Sequence, residues 1–282
     1  MKVALVSMKH IPGDVDANVE RQLIWLDRAR AANARFVGFP EGSLTGWGKD
    51  CTRPLTLNSA ALRIIAAYAR RHRIFIGTCF VEKNGSRLFN SAAVFGPRGR
   101  IGVMRKVNLV EREARPYTPG REFPVFKVAG CRMGVAICSD ATRFEMLHLL
   151  ALRGAEVIFA PHANILADRG GTADSWVRWR MERWPLFAKD TRVAILGVNC
   201  AGLFAGRMPG DQRSEYCGGA MIVDANGMIA GPLRGNHQRE GMLVSKIDLS
   251  AIRRQRKKDF LAHSFQAAIV YNRRSGWAFG LR

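Results

Sequence analysis

The sequence predicts an α/β fold, and three observations carry that prediction. Short runs of small and β-branched apolar residues alternate with stretches whose apolar residues recur at helical spacing. A strand–helix–strand arrangement occurs twice, each time ending on a proline followed by a polar residue: Pro40-Glu41, then Pro161-His162. No low-complexity linker and no short repeat divides the chain. Two α/β halves packed sheet against sheet would produce that echo, and so would coincidence. The 282 residues are read as one domain, 1–282, with residues 251–282 as a basic C-terminal tail of no assigned core role.

Each element has its own signal. Residues 3–8 form a short apolar strand. Asp14 or Asp16 can cap the helix that follows, in which Val19, Leu23, Leu26 and the stem of Arg30 share a face. Residues 35–40 return as a strand. Pro40 has no N–H for a ladder, so the strand should stop there and deliver Glu41 to its end. Residues 59–72 read as a second helix, with Leu62, Ile65, Ala66 and Ala69 aligned. Strands follow at 74–81, 89–95 and 101–107, with Asn84-Gly85 and Gly96-Pro97 as turns and Lys106 closing the third. Residues 111–124 form a charged loop. Strands at 125–128 and 133–137 lead into Cys138. Residues 144–153 are helical and stop at Gly154. The strand at 156–161 places His162 where the earlier one placed Glu41. Residues 173–190 are helical in period, but Pro185 should end or kink them. Strands at 193–199, 220–223 and 243–247 complete the chain, with Asn226-Gly227 as a hairpin turn.

Composition narrows the class. A hydrophobic share of 48% with 9% aromatics suits a globular protein, and no apolar run approaches the roughly 20 residues of a membrane helix. The N-terminal apolar stretch is too short for a signal peptide, so a cytoplasmic location is expected. Six cysteines show no CxxC pairing, which favours free thiols over a disulfide framework or a zinc site. The net charge of +21 is spread along the chain. Its densest cluster, Arg253-Arg-Gln-Arg-Lys-Lys258, lacks the interleaved aromatics of a nucleic-acid platform, so nucleic acid is not the expected partner. An acidic substrate or partner subunit fits the charge as well.

Three residues make chemical sense together. A cysteine ending a strand is ordinarily a small buried hydrophobe, a glutamate there a solvated turn residue, and a lysine there an exposed edge charge. Hydrolysing an unactivated amide, however, needs a nucleophile, a base and a cationic or hydrogen-bonding site for the oxyanion. A thiol is mostly protonated at neutral pH, so a carboxylate or cation must raise its thiolate fraction. Cys138, Glu41 and Lys106 supply these roles. If their strands are parallel neighbours in one sheet, the three converge on one pocket, where the opposite charges hold each other ionised.

Those residues also carry a family likeness. Phe39-Pro-Glu41, Arg105-Lys106 and Ile137-Cys-Ser-Asp140, in that order, resemble the three signature segments of the nitrilase (carbon–nitrogen hydrolase) superfamily. Lys106-Val-Asn-Leu109 with Glu113 and Thr118-Pro-Gly120 resembles the loop that supplies the family's second glutamate, here Glu113. Trp176, Ala188-Lys-Asp190, Val198-Asn199 and Gly218-Gly219 before Asp224-Ala-Asn-Gly227 follow the later pattern to about residue 247. The resemblance implies a four-layer αββα sandwich of two mixed β-sheets, no metal or organic cofactor, and a homodimer or higher homo-oligomer built through helices. It implies that Cys138 attacks the substrate, Glu41 takes the thiol proton, and Lys106 with the Ser139 N–H holds the oxyanion. Glu113 assists, and a thioester on Cys138 is then hydrolysed. Thr142, His162 and Tyr117 join Ser139 as candidate substrate-binding residues. A lone histidine at a strand end, as His162 is, is more often a hydrogen-bonded structural residue than a substrate contact.

Departures from the family pattern bear on substrate. Nitrile-hydrolysing members carry Cys-Trp-Glu at the nucleophile, whereas Cys138-Ser-Asp140 is closer to the amidase and carbamoylase branches. Phe144 stands where a proline is expected, and Asn108 where a histidine is usual. The expected function is hydrolysis of a small amide with release of ammonia. A carbamoylase acting on an N-carbamoyl group is the alternative, and a catalytically silent basic binding protein the non-enzyme reading.

Overall fold

The computed structural model describes residues 1–46, 53–166, 175–204, 214–233 and 239–258. β1 (Lys2–Ser7) shows how the layers arise. Its side chains alternate, Val3 and Leu5 entering one apolar cluster and Ala4 and Val6 another on the opposite face. A strand buried on both faces needs a layer on each side. The chain continues through α1 (Val15–Ala31), β2 (Phe36–Gly38), α2 (Ala60–His72), β3 (Phe75–Asn84), β4 (Arg87–Gly96), β5 (Gly99–Arg105), α3 (Glu111–Ala114), β6 (Val125–Val128) and β7 (Cys131–Val135). A 3-10 turn at Cys138–Thr142 precedes α4 (Phe144–Leu152), β8 (Val157–His162), α5 (Ser175–Thr191), β9 (Ala194–Asn199), β10 (Leu203–Phe204), β11 (Ser214–Glu215), β12 (Ala220–Val223), β13 (Gly241–Lys246) and α6 (Leu249–Lys258).

Two mixed sheets result. The first runs β13-β1-β2-β3-β4-β5, parallel only at β1–β2 and β2–β3. The second runs β12-β9-β8-β7-β6, parallel at β7–β8 and β8–β9. Helices α1 and α2 pack on the outer face of the first sheet, while α4 and α5 contribute Leu147, Leu150, Trp176, Trp184 and Phe187 to the core around the second. The inner faces meet at Phe36 and Phe159, whose rings lie edge to face at 5.4 Å. A methyl on Gly38 or Gly77 would come within 2.5 or 2.8 Å of the Phe159 ring, so glycine there lets the sheets close on that residue. The αββα sandwich is present, and the echo is real. β1-α1-β2 and β7-α4-β8 are equivalent units in opposite sheets.

Several local expectations are corrected. Asp14 caps α1, accepting from the Ala17 N–H at 3.1 Å, but the buried face is Val15, Asn18, Val19, Gln22, Trp25, Leu26 and Ala29. Leu23 is half-buried and Arg30 exposed. Apolar periodicity missed Asn18 and Gln22 because they are buried for their amides. Asn18 donates to the Ile11 and Leu44 carbonyls, and Gln22 to the hydroxyls of Ser43 and Thr78. They hold the turn that follows Glu41. β2 does stop short of Pro40, whereas β8 runs through Pro161 to His162. Its pairing with β7 ends at Phe159, so the proline nitrogen has no β7 partner to serve.

Pro185 does not end α5, which is continuous from Ser175 to Thr191. Trp176 and Trp184 before the proline and Phe187 and Ala188 beyond it are buried, which keeps both halves on the sheet. The tail gains a role in its first part. In α6 Ile252 joins the core, Arg253 pairs with Glu156 at 2.6 Å, and Arg256 donates to the Ala155 and Ala151 carbonyls. Residues 259–282 and Cys51 lie outside the described residues. Among the described residues no helix is long and apolar enough to cross a membrane.

Candidate active site

Glu41, Lys106 and Cys138 come together, though not as neighbouring strand ends of one sheet. Glu41 follows β2 and Lys106 follows β5 in the first sheet, while Cys138 follows β7 in the second. The site is therefore built across the sandwich. Sheet-facing packing brings the groups together, which strand order alone does not reveal.

Backbone hydrogen bonds fix each approach. Before Glu41, the Phe39 N–H donates to the Gly77 carbonyl at 2.9 Å, and the Glu41 N–H donates across the sandwich to the His162 carbonyl at 3.3 Å. The Lys106 N–H donates to the Asn90 carbonyl, and the Lys106 carbonyl accepts from the Gly120 N–H, both at 2.8 Å. Cys138 has φ of +50°, a region costly for a residue with a Cβ and one that places its side chain on a tight turn. Asp140 holds that turn to the exit of β5. One carboxylate oxygen accepts from the Asn108 N–H at 2.8 Å and from its side-chain amide at 2.9 Å, and the other accepts from the Val107 N–H at 3.4 Å. Asn108, where a histidine was expected, thus links the lysine segment to the nucleophile segment. Ser139 Oγ donates back to the Asn108 carbonyl.

The ionic groups form a closed, buried array. Lys106 Nζ lies 2.9 Å from Glu41 Oε1 and 2.8 and 2.7 Å from the two oxygens of Glu113. All three side chains are about 1% exposed. The Asn90 side-chain amide nitrogen donates to Glu41 at 2.7 Å and to Glu113 at 2.9 Å, holding both carboxylates from β4. The second oxygen of Glu113 accepts from the Val110 N–H at 3.0 Å, tying α3 to the array. Sequence reasoning passed over Asn90. Its signal was an Asn-Ser pair inside the apolar strand Leu88-Phe-Asn-Ser-Ala92, since a buried amide needs a partner.

Electrostatics assign the resting states. Burial pushes the Cys138 thiol up to about 12, with Glu41 and Glu113 adding to the rise and Lys106 and Arg180 opposing it. A carboxylate beside a protonated thiol is a base in waiting. Burial alone would lower the Lys106 ammonium, but Glu41, Cys138 and Glu113 overrule it and hold it well above its ordinary value. It stays a cation. Burial raises the Asp140 carboxyl, partly offset by the Asn108 hydrogen bonds.

The candidate substrate residues divide. Ser139 and Thr142 are half-buried on the nucleophile turn, with Thr142 Oγ1 donating to the Ser139 carbonyl at 2.8 Å. Tyr117 is buried in a small cluster with Val81, Ala163, Ile165, Cys200 and Tyr216, next to the Glu41 segment. His162 is fully buried. Its Nδ1 lies 2.8 Å from the Ala160 carbonyl, and its ring packs at 5.3 and 5.8 Å on Trp176 and Trp184. Its backbone carbonyl accepts from the Glu41 N–H, which gives His162 a structural contact with the Glu41 segment. Among the described residues, no three of His, Cys, Asp or Glu are grouped to hold a metal ion.

The family model described as carbon-nitrogen hydrolase matches residues 2–257. A nitrilase of Pyrococcus abyssi is 28% identical over 92% of the chain and 94% of its own length. An (R)-stereoselective amidase of Pseudomonas sp. is 27% identical over 81% of the chain and 79% of its own. The amidase of Nesterenkonia sp. AN1 superposes with a TM-score of 0.73 over 92% of the chain and 95% of that structure, at 20% identity. One structure of that amidase carries acrylamide added to its active-site cysteine.

Proposed function

The chain belongs to the carbon–nitrogen hydrolase family, and on that footing we propose that it hydrolyses a small amide through a thioester on Cys138, releasing ammonia. The observation that carries the reading is the buried Glu41–Lys106–Glu113 array, set beside a cysteine held on a positive-φ turn. Glu41 accepts the thiol proton as sulfur attacks the carbonyl carbon. Charge then develops on the carbonyl oxygen, where the Lys106 ammonium and the Ser139 N–H receive it. The proton returns from Glu41 to the leaving nitrogen, ammonia departs, and a thioester remains. Glu41 then activates the water that cleaves it, which restores the thiol. Glu113 holds Lys106 from the other side and steadies its charge through the cycle.

Relatives bearing nitrilase and amidase names share this chain's length, and Cys138-Ser-Asp140 in place of Cys-Trp-Glu favours the amide over the nitrile. The test is ammonia release from a panel of small amides, N-carbamoyl amino acids and nitriles, each run beside Cys138→Ala. Release from amides that disappears in the variant is the expected result. Release from carbamoyl compounds alone would redirect the substrate assignment, and silence across the panel with an unreactive Cys138 would overturn the reading.

A further inference from the structure

A second polar chain reaches Cys138 from the side of the second sheet. Asn164 Nδ2 lies 3.8 Å from Cys138 Sγ, and Asn164 Oδ1 accepts from Arg180 Nη2 at 3.2 Å. Arg180 sits on α5 with no exposed surface. Its guanidinium lies 4.5, 5.3 and 5.2 Å from the ring centres of Trp176, Trp179 and Trp184, and its Nη1 donates to the Trp176 carbonyl at 3.1 Å. A long, flexible cation is thereby held on three indole faces.

We propose that Arg180 and Asn164 are positioning residues for the nucleophile: Arg180 turns the Asn164 amide so that its NH2 faces the Cys138 sulfur and favours the thiolate. The inference rests on the nucleophile reading above. A guanidinium has donors and no acceptor, so the atom Asn164 turns toward it must be the oxygen. The nitrogen then points the other way, at the sulfur. The backbone of Asn164 leaves no slack. Its N–H donates to Asn199 Oδ1 at 2.8 Å, while its carbonyl accepts from Asn199 Nδ2 at 3.1 Å and from the Cys217 N–H at 2.9 Å. The amide's flip is the remaining variable, and Arg180 sets it.

An N–H donor stabilises a thiolate far more than a thiol, because the thiol sulfur is a weak acceptor. The charged groups acting on this sulfur are Glu41 after β2, Lys106 after β5, Glu113 in α3 and Arg180 in α5, with the Cys200 thiol after β9 also in range. Two of them are carboxylates that oppose the thiolate, and Lys106 is engaged by both. Arg180 and Asn164 add favourable charge and a hydrogen bond from the opposite layer.

The test is the rate of Cys138 alkylation by iodoacetamide across about pH 6 to 9, read site by site by mass spectrometry, in Arg180→Met, Arg180→Lys and Asn164→Leu. Arg180→Met and Asn164→Leu should displace the rate–pH curve upward by about one unit, which is about tenfold slower at neutral pH. Arg180→Lys should restore much of the loss. On whichever amide the wild type turns over, kcat should fall in step while KM stays within about twofold. A folded Arg180→Met that alkylates on the wild-type curve overturns the inference. If that variant does not fold, an Asn164→Leu curve coincident with wild type overturns it instead. A wild-type Cys138 that labels no faster than Cys200 would sink the nucleophile reading itself, which is a distinct outcome.

Discussion

Glu41 and His162 occupy matching places in the two sheets, each directly after a proline and each buried, yet the structure uses them in opposite ways. Glu41 turns inward to Lys106 and Asn90 and keeps every partner polar. His162 packs its ring on Trp176 and Trp184 of the helix layer, and its carbonyl accepts from the Glu41 N–H. The neighbouring strands decide this. β2 ends at Gly38, freeing the chain to turn, whereas β8 is still paired at His162 with Asn199 on β9, so alternation commits its side chain to one face. An equal position in a repeat therefore does not confer an equal role.

The largest effect that would sharpen this contrast lies at Glu41. Glu41→Gln keeps the shape and removes the base, so amide turnover should fall by about a thousandfold. Lys106 still has Glu113, so the domain should keep most of its stability, checked by thermal unfolding beside the rate assay. A Glu41→Gln protein that retains near-normal turnover would refute the role given to this carboxylate.

How much of this was legible in the sequence follows from what each residue depends on. Glu41, Lys106 and Cys138 were found because strand ends and the chemistry of amide cleavage both select them. Their meeting across two sheets was not found, because the packing of sheet on sheet depends on contacts such as Phe36 with Phe159 that no local period encodes. Asn90, Asn164 and Arg180 were missed for a related reason. Each is a polar residue buried for a partner distant in sequence, and a window of neighbours reads it as a blemish in an apolar run. Pro185 misled in the other direction. Its local rule was sound, but buried residues on both sides of it outweigh one lost helical bond.

A middle-sized effect is expected at His162. His162→Ala removes a ring packed on two indoles and its contact with the Ala160 carbonyl, a cavity that should cost about 2–4 kcal/mol of unfolding free energy. Because the backbone carbonyl that meets the Glu41 N–H is kept, turnover of the folded variant should stay within about threefold of wild type, measured well below its melting temperature. Lost turnover at unchanged stability would break the comparison, by putting the imidazole in the chemistry after all.

The smallest effect lies at the other end of β8, where Glu156 precedes the strand that His162 closes. Burial pushes the Glu156 carboxyl up, but the Arg253 side chain and the Arg132 N–H outweigh it, and the net shift is downward from 4.5. A carboxyl lowered on folding adds stability that is fully present above its unfolded value and lost as pH falls through its folded one. Acid below about pH 4.5 should therefore loosen α6, which Arg253 ties to Glu156. Hydrogen-exchange protection across 249–258, relative to the intrinsic rate at each pH, should fall on acidification in the wild type, and should already be lowered at neutral pH in Glu156→Gln. Strong acid sensitivity at 249–258 in that variant would show that another group anchors the helix, and would leave β8 with a single functional end.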